Sequence, residues 1–203
     1  MTKAAMAQAW SAIHVGDGRF LLYGPRFGRA YLRPRGETND PGFLRLIGLE
    51  KADFQDALPD PADKIDTTLQ NAAPGRSSPA PWRYVFGYRL LHHSRHFIPL
   101  RMAARVMRRA AVIRRRRAPR APIAIAERMH AVECAAGAGD CYPRALLTAY
   151  LALKSGQACT LIVGALTPTR KMHVWCVVDE AIPYEPSPEH YLYQPLWTLR
   201  LTS

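Results

Sequence analysis

Of the four cysteines, at positions 134, 141, 159 and 176, Cys141 stands where its surroundings could make a thiol nucleophilic. The run Asp140–Cys141–Tyr142–Pro143 reads as a helix start. The aspartate can cap it, the proline is tolerated in the first turn, and Gly156 closes it after Lys154 in the last turn. At such a terminus the unpaired backbone N–H groups and the positive end of the helix dipole favour thiolate over thiol, the form that attacks a carbonyl. The backbone N–H of Cys141 could also hold a tetrahedral oxyanion. A free cysteine can equally be a buried structural residue, so the reading needs a partner base.

That partner is sought in KMHVWCVVDE (171–180), a β-branched run containing His173. Strand alternation puts His173, Trp175 and Val177 on one face and Val174, Cys176 and Val178 on the other, so Cys176 belongs to the core. A Cys–His pair also needs a third group to fix the imidazole, and Asp179, Glu180, Glu185 and Glu189 are the downstream candidates. Asp179 lies about 20 Å along an extended strand from His173, too far to serve. If the hairpin turn is centred on Asp179, Glu185 falls opposite His173 on a returning strand, about 5 Å away. A register slip of one would turn Glu185 to the other face, and Pro183 makes that strand irregular.

The elements that must position these groups are legible around them. IAIAERMHAVECAA (123–136) reads as a helix before the Cys141 helix, and ACTLIVGAL (158–166) as the strand after it. Upstream, 12–15, 19–23 and 29–33 have the alternation and punctuation of a three-stranded meander, followed by helical spacing near 41–48, 50–57 and 61–72. Three strands and then helices suggest a winged-helix-like module over residues 1–75. APGRSSPAP (73–81) looks like a linker. We therefore expect an α+β chain in three parts: 1–75, a linker and arginine-rich helical segment over 76–120, and a catalytic domain over 121–203. Trp82, Phe86, Leu90, Phe97, Val106, Met107 and Ile113 form an apolar stripe along the middle part, interrupted at Pro99, and such stripes usually belong to a core.

The net charge is confined to that middle part. The formal net charge is +12, yet residues 81–120 hold twelve arginines and no acid, while the remainder balances sixteen basic against sixteen acidic residues. A solvated helix face is the ordinary reading of such a run, docking of an acidic partner the next, and nucleic-acid binding the third. The cysteines show neither CxxC spacing nor disulfide density, which argues against a structural zinc site and for a reducing compartment. No uninterrupted apolar run is long enough for a membrane span and MTKAAMAQAWSAIHVGDG lacks a signal-peptide pattern, so the expected location is the cytoplasm.

CYPRALLTAYLALKSGQACTLIVGA followed by KMHVWCVVDEAIPYEP resembles the lasso-peptide leader peptidases, within the transglutaminase-like, papain-related cysteine enzymes. The family pattern is a Cys-(hydrophobic)-x-Arg-Ser/Ala helix, a Gly, a short strand ending in Gly, and a His-(Ala/Val)-Trp strand. Cys141, Arg144, Ala145, Gly156, Gly164, His173 and Trp175 fill its places, over residues 123–190. The residue after the nucleophile is Tyr142, and the third member, commonly Asp in the family, is Glu185 here.

The resemblance implies a cysteine peptidase that removes the leader of a ribosomally made precursor before a partner cyclase of asparagine-synthetase type closes the ring. It implies a leader-binding module of winged-helix type, with the leader added as a strand. Tyr23 and Tyr31 in the meander and Trp175 beside His173 are the candidate substrate-binding residues. No metal or directly bound cofactor is expected. The chain has no Gly-rich phosphate loop, so any ATP dependence would act through the cyclase. Two other readings remain at this stage: a thiol acyltransferase, and a non-catalytic arginine-rich nucleic-acid binder.

Overall fold

The computed structural model describes residues 79–113, 121–166, 171–186 and 193–202 with their side chains, that of residue 194 excepted, and the backbone of three upstream strands. Those strands are β1 (Ser11–His14), β2 (Arg19–Gly24) and β3 (Arg29–Pro34), an antiparallel meander in the order β1-β2-β3. The helices expected over 41–72 and the arginines at 114–117 lie outside the described residues.

Four helices and a second sheet follow: α1 (Trp82–Ser94), α2 (Leu100–Ile113), α3 (Pro122–Ala136) and α4 (Cys141–Lys154), then β4 (Cys159–Leu166), β5 (Lys171–Val178) and β6 (Gln194–Leu201). The sheet is antiparallel in the order β5-β4-β6, with β4 central. Val174, Cys176 and Val178 of β5 and Leu161 and Val163 of β4 join Leu146, Ala149 and Leu153 of α4 in one core, to which Ile125, Met129 and Val132 of α3 also belong.

Helix α4 is buried on every side, each residue from Pro143 to Leu153 being enclosed. A helix enclosed all round belongs in the middle of a domain, and here its lining is mostly Ala and Leu, with Arg144, Thr148 and Tyr150 among them. Truncating a fully buried member such as Leu146 to alanine should cost about 2–5 kcal/mol through lost burial and the cavity left behind. Its neighbour α3 ends on Gly137, whose φ of 68° lets its N–H return to the Glu133 carbonyl at 3.0 Å. That cap turns the chain sharply into α4.

The middle segment is integral to this domain. Tyr84, Tyr88 and Leu91 of α1 and Leu100, Ala103, Ala104 and Ala111 of α2 are core residues. The expected stripe points the other way: Trp82, Phe86, Leu90, Phe97, Val106 and Ile113 are exposed, and Met107 alone of the seven packs against the core. On α1 the positions 82, 86 and 90 and the positions 84, 88 and 91 both have helical spacing. Periodicity could not say which face turned inward, and the polar tip of Tyr88 decided it by finding buried partners.

Candidate active site

The N-terminus of α4 is built as its sequence suggests. Asp140 is the N-cap, with extended backbone, and its Oδ1 accepts the Tyr142 N–H at 3.1 Å. Its other oxygen, Oδ2, meets His92 Nδ1 at 2.9 Å and Arg95 Nη1 at 2.8 Å, tying the cap to the end of α1. Tyr142 donates from its hydroxyl to the Ile98 carbonyl at 2.7 Å, so the α1–α2 connection is pinned to the same turn. Cys141 is thus the first residue of a firmly held helix, half-buried, where its backbone N–H has no intrahelical acceptor.

His173 lies near the start of β5. Its Nε2 meets Glu185 Oε2 at 3.0 Å, and its other partner is the Cys141 thiol. With Nε2 turned to the carboxylate, Nδ1 is the ring nitrogen left for the sulfur. Burial alone would lower the basicity of this imidazole. The hydrogen bond to Cys141, then the hydrogen bond and charge of Glu185, more than reverse that and raise its pKa to about 9. The ring is held between aromatic neighbours, Trp175 stacked at 5.7 Å and 22° and Tyr193 tilted at 5.0 Å. Gly164 of β4 pairs directly opposite His173 and puts no side chain beside it.

Glu185 reaches His173 by a different route from the expected returning strand. The hairpin turn has two central residues, Asp179 and Glu180, both with positive φ (49° and 65°), the signature of a type I′ turn. One bridge follows, Val178 with Ala181, and then the ladder stops ahead of Pro183. Continued pairing in that register would have set Glu185 against Val174, on the wrong face. Departure from the ladder along the open edge of β5 is what delivers the carboxylate to the imidazole. Asp179 is exposed and accepts a hydrogen bond from Gln157 Nε2 at 2.6 Å, away from the site.

Behind Glu185 lies a buried polar ring that the sequence did not disclose. Arg144 Nη1 donates to Glu185 Oε1 at 2.8 Å, while its Nε donates to Glu133 Oε1 at 2.8 Å. Glu133 Oε1 also accepts from the Tyr88 hydroxyl at 2.8 Å, and that hydroxyl accepts the Asp140 N–H at 2.8 Å. Side-chain exposure is 0% for Glu185, 8% for Arg144 and 9% for Glu133. Burial would make the guanidinium give up its proton more easily, but the charges of Glu185 and Glu133 outweigh this and raise its basicity. Burial, with the charge of Glu133 next, raises the phenol pKa of Tyr184 as well. Arg144 was visible in the sequence as a motif position; Glu133, Tyr88 and Tyr193 carried no signal beyond their residue types.

Of the other expected site residues, Trp175 lies against His173 and the rest fall elsewhere. Trp175 is 4% exposed and packs with Ile162 and Ile182, so it props the imidazole and offers substrate almost no surface. Tyr23 on β2 pairs with Ala30, and Tyr31 on β3 pairs with Leu22, so the two positions alternate onto opposite faces of the meander; their side chains lie outside the described residues. Among the arginines, Arg89 donates to the Ala135 and Ala136 carbonyls and Arg95 holds Asp140, whereas Arg105, Arg108 and Arg109 are exposed. Among the described residues no group of three or more His, Cys, Asp or Glu could hold a metal, and no helix is long and apolar enough to cross a membrane.

A thiol at a helix start, an imidazole on an adjoining strand and a buried carboxylate behind it are the arrangement of a cysteine-dependent enzyme domain. The family comparison agrees: residues 82–198 match the transglutaminase-like superfamily, and the chain belongs to that superfamily. Its domains are typically cysteine-dependent, of cysteine protease or acyltransferase type. The match begins at the first residue of α1, in keeping with the packing of α1 and α2 into the core. No curated protein and no solved structure matches the chain.

Proposed function

We propose that this chain is a cysteine peptidase that removes the leader from a lasso precursor peptide, with Cys141 as nucleophile, His173 as base and acid, and Glu185 as the orienting carboxylate. The observation that carries the reading is His173 Nε2 held by Glu185 Oε2 at 3.0 Å, with the Cys141 thiol acting on the same imidazole from the N-terminus of α4.

In the mechanism, the Cys141 proton passes to His173 Nδ1 and the sulfur attacks the scissile carbonyl carbon. The oxyanion that forms is met by the backbone N–H of Cys141. Collapse of the tetrahedral intermediate breaks the C–N bond, the imidazolium gives its proton to the leaving amine, and the leader is left as a thioester on Cys141. Water, deprotonated by His173, then adds to the thioester carbonyl, and the thiol leaves with the proton returned. Glu185 holds Nε2–H throughout, which fixes the tautomer and stabilises the cation.

The leader peptidase assignment rests on the ordered Cys141, Arg144, Ala145, Gly164, His173, Trp175 pattern, with the precursor and an asparagine-synthetase-type cyclase as partners in the cytoplasm. Incubation of the full chain with precursor and cyclase tests it by product mass: leader plus water is expected. A leader joined to an amine would assign the acyltransferase reading instead, and an uncut precursor would overturn the peptidase.

A further inference from the structure

Helix α2 joins the domain by one side only. Leu100, Ala103, Ala104 and Ala111 are buried and Met107 packs beside them, so this side rests on the core and on α4. The whole helix, LRMAARVMRRAAVI, consists of aliphatic residues, methionine and arginine, with no acid and no neutral hydrogen-bonding side chain.

The outward side divides in two. Met102, Val106 and Ile113 fall within about 40° of one another at 3.6 residues per turn, and they are 56%, 56% and 83% exposed. Arg105 and Arg109, with Arg108 further round, flank that ridge and are exposed as well. Among the described residues, carboxylates pair with Arg95 and Arg144, and none pairs with these three.

An aliphatic ridge beside a row of guanidinium groups is complementary to an occupant that offers negative charge and hydrocarbon together. The charge requirement is strict, because residues 81–120 hold twelve arginines and no acid. Nucleic acid supplies phosphates, but its bases stack on aromatic rings and gain little from valine, methionine and isoleucine. A protein partner makes about one hydrogen bond per 100–200 Å² of interface, and outside its guanidinium groups α2 has no side chain to make them. An anionic phospholipid surface supplies both needs, with phosphates at the level of the arginines and acyl chains beneath for the ridge. A helix of 14 residues with arginines at 101, 105, 108 and 109 is too short and too charged to cross a bilayer, so its place is in the interface plane.

We propose that α2 is a peripheral docking surface for an anionic phospholipid membrane, with Met102, Val106 and Ile113 entering the acyl boundary and Arg105, Arg108 and Arg109 meeting headgroup phosphates. The proposal is independent of the chemistry assigned to Cys141. The inner side of the helix keeps its place in the core while the outer side binds.

The test is flotation of the full chain with vesicles of phosphatidylcholine alone and of phosphatidylcholine mixed with phosphatidylglycerol. Binding is expected to the mixed, anionic vesicles only, and it should weaken as salt rises. Each of Arg105→Gln, Arg108→Gln and Arg109→Gln should weaken it about fivefold. The combined change Met102→Ser, Val106→Ser and Ile113→Ser should weaken it about tenfold or more. All six side chains are exposed, so the thermal midpoints of these variants should stay close to the wild type. No binding to the anionic vesicles, or equal binding to both kinds, overturns the proposal, and so does binding that none of these changes weakens. A loss confined to the arginine changes overturns it too, and oligothymidylate binding lost with the same changes then assigns the face to nucleic acid.

Discussion

Cys141 and Cys176 lie in the same domain, and their surroundings give the two sulfurs opposite fates. Cys176 points into the core between sheet and helices, where burial, with Cys159 beside it, raises its thiol pKa well above the ordinary range and leaves it a small apolar filler. Cys141 stands at a helix start beside an imidazole whose cation is stabilised by a buried carboxylate. Both are thiols on regular elements with histidine nearby in sequence or space. On the proposed reading, the difference makes reactivity a property of which polar groups were carried into the interior alongside the sulfur.

The comparison can be broken most severely at the nucleophile. Cys141→Ala should lower precursor cleavage by about 10⁴-fold or more, with precursor binding retained. Cys176→Ala should leave the rate within about twofold and cost about 1 kcal/mol of stability in a denaturant melt. Equal losses of activity in the two variants would remove the distinction. Next comes the orienting acid: Glu185→Gln is expected to slow cleavage by about 10² to 10⁴-fold, since the imidazole loses the acceptor that sets its tautomer. The same amide change at Asp179, which only meets Gln157 on the surface, should be nearly silent. A larger loss at Asp179 than at Glu185 would reassign the third group.

Labelling sharpens the contrast without any substrate. Site-resolved mass spectrometry after iodoacetamide at neutral pH should find Cys141 and the exposed Cys134 modified, with Cys159 and Cys176 protected until the protein unfolds. The smallest effect is on stability. Because the folded pKa of His173, about 9, lies above the unfolded 6.5, folding takes up a proton between those values. The stabilisation is therefore full below pH 6.5 and disappears as pH rises through 9. Thermal midpoints measured across that window should fall in the wild type more steeply than in Glu185→Gln.

Much of the site could be read from residues close together in the chain. Asp140, Cys141, Pro143 and Gly156 define the beginning and end of α4 through capping and backbone preference, which act over one turn. The β-branched runs around His173 and Val163 define two strands, and alternation correctly sends Cys176 inward. The pairing of Glu185 with His173 was reached from an idealised hairpin whose geometry the chain does not follow: a two-residue turn and an early exit from the ladder give the same partner by another path.

The sequence alone determined the helix start that holds the thiol and the strand that carries the imidazole, because each depends on neighbours a few residues away; β6, built from residues distant in the chain, was not read from it. The tertiary structure decided which face of α1 is interior, that Trp175 supports the imidazole, and that Glu133, Arg144, Tyr88 and Asp140 close a polar ring behind the triad. The reason is physical. A buried charge is tolerated only where partners from distant segments converge on it, and that convergence arises from packing of whole elements, which no local pattern encodes.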